Sequence, residues 1–90
     1  MARFVVERMF PGGLGMPVSD AGVAEVLAVV DRNAEVGVTW IHSFVSSDRT
    51  KTFCIYDGPD EECVRRAAER NRLPVDTVTR VTVLDPYAYR

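Results

Sequence analysis

The sequence has 90 residues, enough for one domain spanning residues 1–90, and this length excludes a multidomain protein. Its 11 Lys and Arg against 13 Asp and Glu give a net charge of −2, and 47% of the residues are hydrophobic. That balance is typical of a water-soluble globular domain and argues against a nucleic-acid-binding polycation. The longest apolar run, residues 26–30, is far too short to span a bilayer. We therefore expect a cytoplasmic protein with no nucleic-acid or membrane partner.

The two cysteines, Cys54 and Cys63, are separated by eight residues and form no C-x-x-C pair. We expect both thiols to stay reduced rather than to form a disulfide or a thiolate zinc site. A domain of this size also buries only about 60–65% of its unfolded surface, so its core alone is marginal. Association with a second copy would stabilise the chain, and a homodimer is the expected state.

The first half of the chain predicts a strand, a loop and a helix. Residues 2–9 are rich in β-branched and aromatic residues, and the glycine-rich residues 10–15 end this strand. Ser19 or Asp20 can cap a helix that Gly37 ends. The apolar positions of this helix follow helical spacing: Val23, Val26, Leu27, Val30 and Ala34.

The second half predicts a hairpin, a helix and a final strand. Strands over residues 38–45 and 52–56 flank turn residues 46–50. Asp60 is a suitable N-cap for a second helix that Leu73-Pro74 ends, and residues 77–84 form the last strand. The buried stripe of that helix is predicted at Val64, Ala67, Ala68 and Asn71. The resulting order, β-α-β-β-α-β, predicts an α+β ferredoxin-like fold with a four-stranded antiparallel sheet and two helices on one face.

The register of the hairpin predicts which residues lie on the face of the sheet without helices. If Ser46 pairs with Lys51, strict alternation places five residues on this face: Trp40, His42, Phe44, Phe53 and Ile55. That is too much apolar and aromatic surface to leave in water. The face is expected to be a dimer interface, the lining of a pocket, or both, as in a dimeric α+β barrel.

His42 is the only histidine and therefore the leading candidate for chemistry. It could be a hydrogen-bonded interface residue, a metal ligand or a proton-transfer group. One imidazole cannot hold a transition metal tightly, so a metal site needs further ligands. Glu7 on the first strand is the nearest plausible carboxylate, and a second copy could supply more. Because a carboxylate on a central strand needs a partner, Glu7 is expected to pair with His42, Arg80 or a metal.

The residues singled out above combine with other segments into a recognisable set. The segments are Val5-Val6-Glu7-Arg8, Trp40-Ile41-His42-Ser43-Phe44-Val45, Cys54-Ile55-Tyr56, Leu73-Pro74-Val75 and Val83-Leu84-Asp85-Pro86. With them the chain resembles the small actinobacterial nickel-binding-protein family over nearly all of its length. The resemblance implies a ferredoxin-like fold, a homodimer and binding of nickel by at least one member.

Three functions stay open at this point. The first is a non-catalytic binder of Ni²⁺ or another divalent metal, with His42 and Glu7 as ligands from both protomers. The second is a cofactor-free isomerase, cyclase or monooxygenase in which His42 and Glu7 transfer protons and Trp40, Phe44 and Phe53 hold a small apolar substrate. The third is a structural dimer without a site. The resemblance favours the first.

Overall fold

The elements follow one another in the order predicted from the sequence. The computed structural model describes residues 1–15 and 20–88. They form β1 (Ala2–Met9), α1 (Asp20–Glu35), β2 (Thr39–Val45), β3 (Lys51–Gly58), α2 (Glu61–Arg70) and β4 (Thr77–Val81). The four strands form one antiparallel sheet in the order β2-β3-β1-β4. This is the strand order of the ferredoxin-like fold, as expected. Neither described helix is long and apolar enough to cross a membrane.

The core lies between the helices and one face of the sheet, which we call the covered face. Phe4 and Val6 of β1 and Cys54 and Tyr56 of β3 point to this face, where they form cross-strand pairs Phe4–Tyr56 and Val6–Cys54. Val38, Val64 and Ala67 complete the buried cluster. The opposite face, the open face, carries the alternate residues of the same strands.

Helix α2 is built as predicted. The Asp60 carboxylate accepts a hydrogen bond of 2.8 Å from the backbone N–H of Cys63, which caps the first turn. Val64, Ala67 and Ala68 are buried, and their small size lets the helix lie close to the sheet. Asn71 is half-buried and forms the C-cap, where its backbone N–H bonds to Ala67.

Helix α1 is rotated about its axis from the predicted orientation. Four of the five residues of the expected stripe face outward, since Val23 is 60% exposed, Leu27 57% and Val30 39%, and Ala34 is exposed as well. The inner face instead includes the buried residues Gly22 and Asn33. Valine, alanine and leucine occur all around this helix, so hydrophobic spacing does not define one face. Helix α1 begins at Asp20, and the alternative cap Ser19 lies outside the described residues.

Strand β4 is three residues shorter than predicted, because its neighbour ends first. Arg3 of β1 pairs with Val81, the last residue of β4. Beyond Arg3 only Ala2 of β1 remains as a partner, because β1 begins at Ala2. Residues 82–84 therefore continue without a strand to pair with, although their composition favours β structure.

A β-bulge in β2 corrects the predicted position of Trp40. His42 pairs with Ile55 and Phe44 with Phe53, as the sequence predicts, but the register shifts between Trp40 and His42. Trp40 therefore pairs with Tyr56, whereas the register set by Ser46 and Lys51 would pair it with Asp57, and Ile41 is the extra residue. Because one residue of slip exchanges the faces, Trp40 packs against the core on the covered face. The prediction that it lies on the open face is wrong.

Candidate functional site

Two cross-strand rows dominate the open face. One row consists of His42, Ile55, Val5 and Thr79, and the next consists of Phe44, Phe53, Glu7 and Thr77. Phe44 is 61% exposed at the edge of the sheet. The prediction that His42, Phe44 and Phe53 share this face is confirmed. The face thus presents an aromatic and aliphatic surface beside one imidazole and one carboxylate.

The imidazole of His42 stands on the edge strand and is exposed to solvent. Its ring meets the ring of Phe44 edge to face, with centroids 5.1 Å apart. Among residues 1–15 and 20–88, none forms a hydrogen bond or an ion pair with the imidazole of His42. Its ring nitrogens are therefore available to a ligand or to a residue of another molecule.

Glu7 has protein partners, and they differ from those predicted. The Thr77 hydroxyl donates a hydrogen bond of 2.7 Å to its carboxylate, and Lys51 Nζ lies 3.7 Å from Oε1. Arg80, one predicted partner, pairs with Phe4 and so belongs to the other face. Strand β3 separates Glu7 from His42, with one row of offset, so the structure does not bring these two side chains together within a chain. Whether either binds metal stays a prediction.

The carboxylate of Asp57 lies in the row beyond His42 but is already neutralised. Arg3, its partner on β1, donates from Nε at 2.9 Å and from Nη2 at 3.2 Å. The hydrogen bonds from Arg3 hold the pKa of Asp57 below its ordinary value. Asp57 is therefore a structural partner of Arg3 rather than a free ligand beside His42.

A cavity of about 140 Å³ lies on the covered face, and the sequence did not predict it. Trp40, Val29, Leu14 and Leu73 are among its apolar lining residues, while Glu25 and Arg32 also border it. The Trp40 indole N–H donates to Ser43 Oγ at 2.9 Å, which fixes the ring at this position. Trp40 was predicted to line a pocket with Phe44 and Phe53, but it lines this cavity on the other face. His42 lines neither this cavity nor the two shallower depressions at Asp57 and Glu69.

Arg8 is the residue of the cavity that the sequence reasoning missed. It is only 2% exposed and lines the cavity from β1. Its Nη1 donates to the Tyr56 hydroxyl at 3.2 Å, whereas Nε is buried without a hydrogen-bond partner. Burial raises the pKa of Tyr56, so its hydroxyl stays protonated at neutral pH. A signal was present, because Arg8 alternates in step with Phe4 and Val6, the two residues of β1 that enter the core.

The described residues contain no group of three or more His, Cys, Asp and Glu side chains that could hold a metal ion. Cys54 is buried and Cys63 half-buried, and neither forms a disulfide. Transition metals need three or four protein ligands for tight binding.

Comparison with known proteins gives the fold and the family. None of the curated proteins matches this chain. Among solved structures, the crystal structure of SCO4226 from Streptomyces coelicolor A3(2) is similar, with a TM-score of 0.70 and 19% sequence identity over 93% of this chain and 100% of that one. At this identity the likeness establishes the fold alone. The family model described as "Nickel responsive protein SCO4226-like" matches residues 4–81. The resemblance noted in the sequence is thereby confirmed, and the chain belongs to the SCO4226-like family of nickel responsive proteins.

Proposed function

We propose that this protein is a non-catalytic, cytoplasmic homodimer that binds Ni²⁺ through residues of its open face, with His42 as the central ligand. The observation that carries the proposal is the single imidazole, which is exposed and without a hydrogen bond to any described residue. Imidazole nitrogen is a favoured donor for nickel. The name of the family, nickel responsive, points to the same metal.

A second copy of the chain supplies what one chain lacks. A two-fold dimer could set the His42 imidazole of each chain against the Glu7 carboxylate of its partner, which forms two equivalent pairs of nitrogen and oxygen donors that suit Ni²⁺. In this arrangement Glu7 would exchange its contact with Lys51, a half-exposed ion pair of small energetic value, for the metal.

The apolar rows of the open face support the dimer. Phe44 is 61% exposed, and Phe53 and Ile55 beside it are half-buried. Two such faces packed together would remove this surface from water and stabilise both chains, at roughly 25 cal/mol for each Å² of apolar surface. The free thiols of Cys54 and Cys63 suit a reducing compartment, which supports the cytoplasm.

Titration calorimetry and light scattering on the full chain test the proposal together. We expect one Ni²⁺ for each chain, two in the dimer, and a mass twice the 10.0 kDa of a single chain. His42→Ala should weaken nickel binding at least about tenfold, and Glu7→Gln should weaken it by a similar factor. Glu62→Gln is the matched control, because this carboxylate is exposed on α2 and should leave binding unchanged.

Two results would contradict the proposal. One is unaltered nickel affinity in His42→Ala, which would move the site to surface carboxylates. The other is binding of one ion by a chain that stays monomeric at tens of micromolar concentration, because the open face would then have no partner.

A further inference from the structure

The cavity on the covered face contains the one arginine of the described residues that is almost wholly buried. We propose that this cavity binds a small organic monocarboxylate, with the carboxylate on the guanidinium of Arg8 and the apolar part against Trp40. This site is independent of the nickel site proposed above, because the two lie on opposite faces of the sheet.

The charge of Arg8 has no counterpart in the described chain. The arginines and lysine in ion pairs are Arg3, Lys51, Arg65, Arg66 and Arg70. Among the described residues no carboxylate lies within 4.0 Å of Arg8, and Glu25, the acidic residue that borders the cavity, is exposed and forms no ion pair with it. Residues 16–19 and 89–90 contain no acidic side chain. Burying an unpaired charge is costly, so an anion entering the cavity would gain a strong interaction.

The unused donors of Arg8 are those that bind carboxylates. Nη1 is used by the Tyr56 hydroxyl at 3.2 Å and the ring of Tyr56 lies 5.7 Å from the guanidinium carbon. Nε has no partner, and Nη2 donates no hydrogen bond to any described residue. These two groups form the edge of the guanidinium that donates two parallel hydrogen bonds to a carboxylate.

The apolar lining and the size of the cavity select the rest of the ligand. The volume of about 140 Å³ is close to the roughly 150 Å³ of an apolar cavity that holds benzene. Trp40, Val29 and Leu73 offer apolar and aromatic surface beside the guanidinium. An inorganic anion would leave that surface without contacts, whereas a carboxylic acid with a small ring or a short chain would use both parts of the cavity.

Benzoate is a suitable probe, with benzamide as its neutral equivalent of the same shape. Trp40 is the only tryptophan, so the indole N–H resonance in a two-dimensional ¹H–¹⁵N NMR spectrum reports on the cavity directly. We expect saturable shifts of this resonance with benzoate, at least about tenfold weaker binding of benzamide, and no comparable shifts with sulfate.

Two variants locate the site. Arg8→Met should reduce benzoate affinity at least about tenfold, and Val29→Phe should abolish binding by filling the cavity. Val30→Phe, one residue further along α1 and 39% exposed, is the matched control and should bind as the natural chain does. If one variant fails to fold, as its NMR spectrum would show, the other decides.

The proposal is overturned if benzoate gives no saturable shift at millimolar concentration, because the cavity would then hold only water. It is equally overturned if sulfate binds as well as benzoate and Val29→Phe changes nothing. That result would make Arg8 part of a general anion site away from the apolar lining.

Discussion

For the buried pair of Arg8 and Tyr56 we expect a single substitution to lower the free energy of unfolding and a double substitution to raise it. In Tyr56→Phe the guanidinium loses its acceptor at 3.2 Å, so Nη1 joins Nε and Nη2 without a hydrogen-bond partner. Leaving a buried donor unsatisfied costs about 1–3 kcal/mol, and we expect Tyr56→Phe to lower the free energy of unfolding by that amount.

Adding Arg8→Met to Tyr56→Phe should more than restore the loss. The double variant replaces both polar groups by apolar groups of similar shape, and such replacements of buried charged groups stabilise proteins by about 1–4 kcal/mol. We therefore expect the double variant to be more stable than the natural chain by about 1–2 kcal/mol, with a melting temperature higher by about 4–16 °C.

Urea unfolding followed by Trp40 fluorescence measures all four proteins of this cycle in one buffer free of organic acids. A double variant that is less stable than the natural chain by more than about 1 kcal/mol would refute this prediction. In that case the free N–H groups of Arg8 would already be hydrogen-bonded in the natural chain, for example to buried water, and removing the guanidinium would not stabilise the fold.

Three further predictions concern the rest of the fold. Asp48 accepts hydrogen bonds from Ser46 and Thr50. These bonds, and that of Ser46 above all, hold the pKa of Asp48 below the ordinary 3.8. The hydrogen bonds of the ionised carboxylate therefore stabilise the fold fully above pH 3.8, and this stabilisation is lost as the pH falls through the lowered pKa. In Asp48→Asn the melting temperature measured by calorimetry should therefore decrease less steeply with falling pH than in the natural chain. Leu27→Gln should change the free energy of unfolding by less than about 0.5 kcal/mol, because this side chain is 57% exposed. A loss above about 2 kcal/mol would indicate that Leu27 is buried in the core. Val6→Ala should cost about 2–3 kcal/mol in urea unfolding, since Val6 is fully buried, and a loss below 1 kcal/mol would contradict its place in the core.

The order of elements and most of the sheet could be predicted because they depend on short-range patterns. Alternation fixes the faces of a regular strand, and it placed His42, Phe44 and Phe53 correctly. Asp60 is followed by acidic residues and then by a stripe of small apolar residues, which defines α2 without reference to the rest of the chain.

Other features depend on neighbours that are distant in sequence. The bulge at Ile41 shifts Trp40 to the other face, and a single extra residue leaves no mark in an alternating pattern. The inner face of α1 includes Asn33, whose side chain accepts a hydrogen bond of 2.8 Å from Asn71 of the other helix cap. This contact joins residues 38 positions apart, so only the packed structure reveals it.

The candidate site was predicted in its residues but not in its arrangement. The sequence identifies His42 and Glu7 by their chemistry, and both lie on the open face. Their separation by β3 depends on the strand order, and the contact of Glu7 with Thr77 joins residues 70 positions apart. Sequence spacing does not contain that information.

The irregularity in β2 also affects how the sheet meets other sheets. An edge strand with a straight run of free N–H and C=O groups can recruit a strand from another molecule and begin a fibril. β2 and β4 are the two edges; β4 has only five residues, and the bulge between Trp40 and His42 interrupts the seven of β2. An incoming strand could match regular spacing only along residues 42–45. Both edges of the sheet are therefore poor templates for amyloid growth. The open face can then carry an apolar surface without the added risk that strands of neighbouring molecules pair edge to edge.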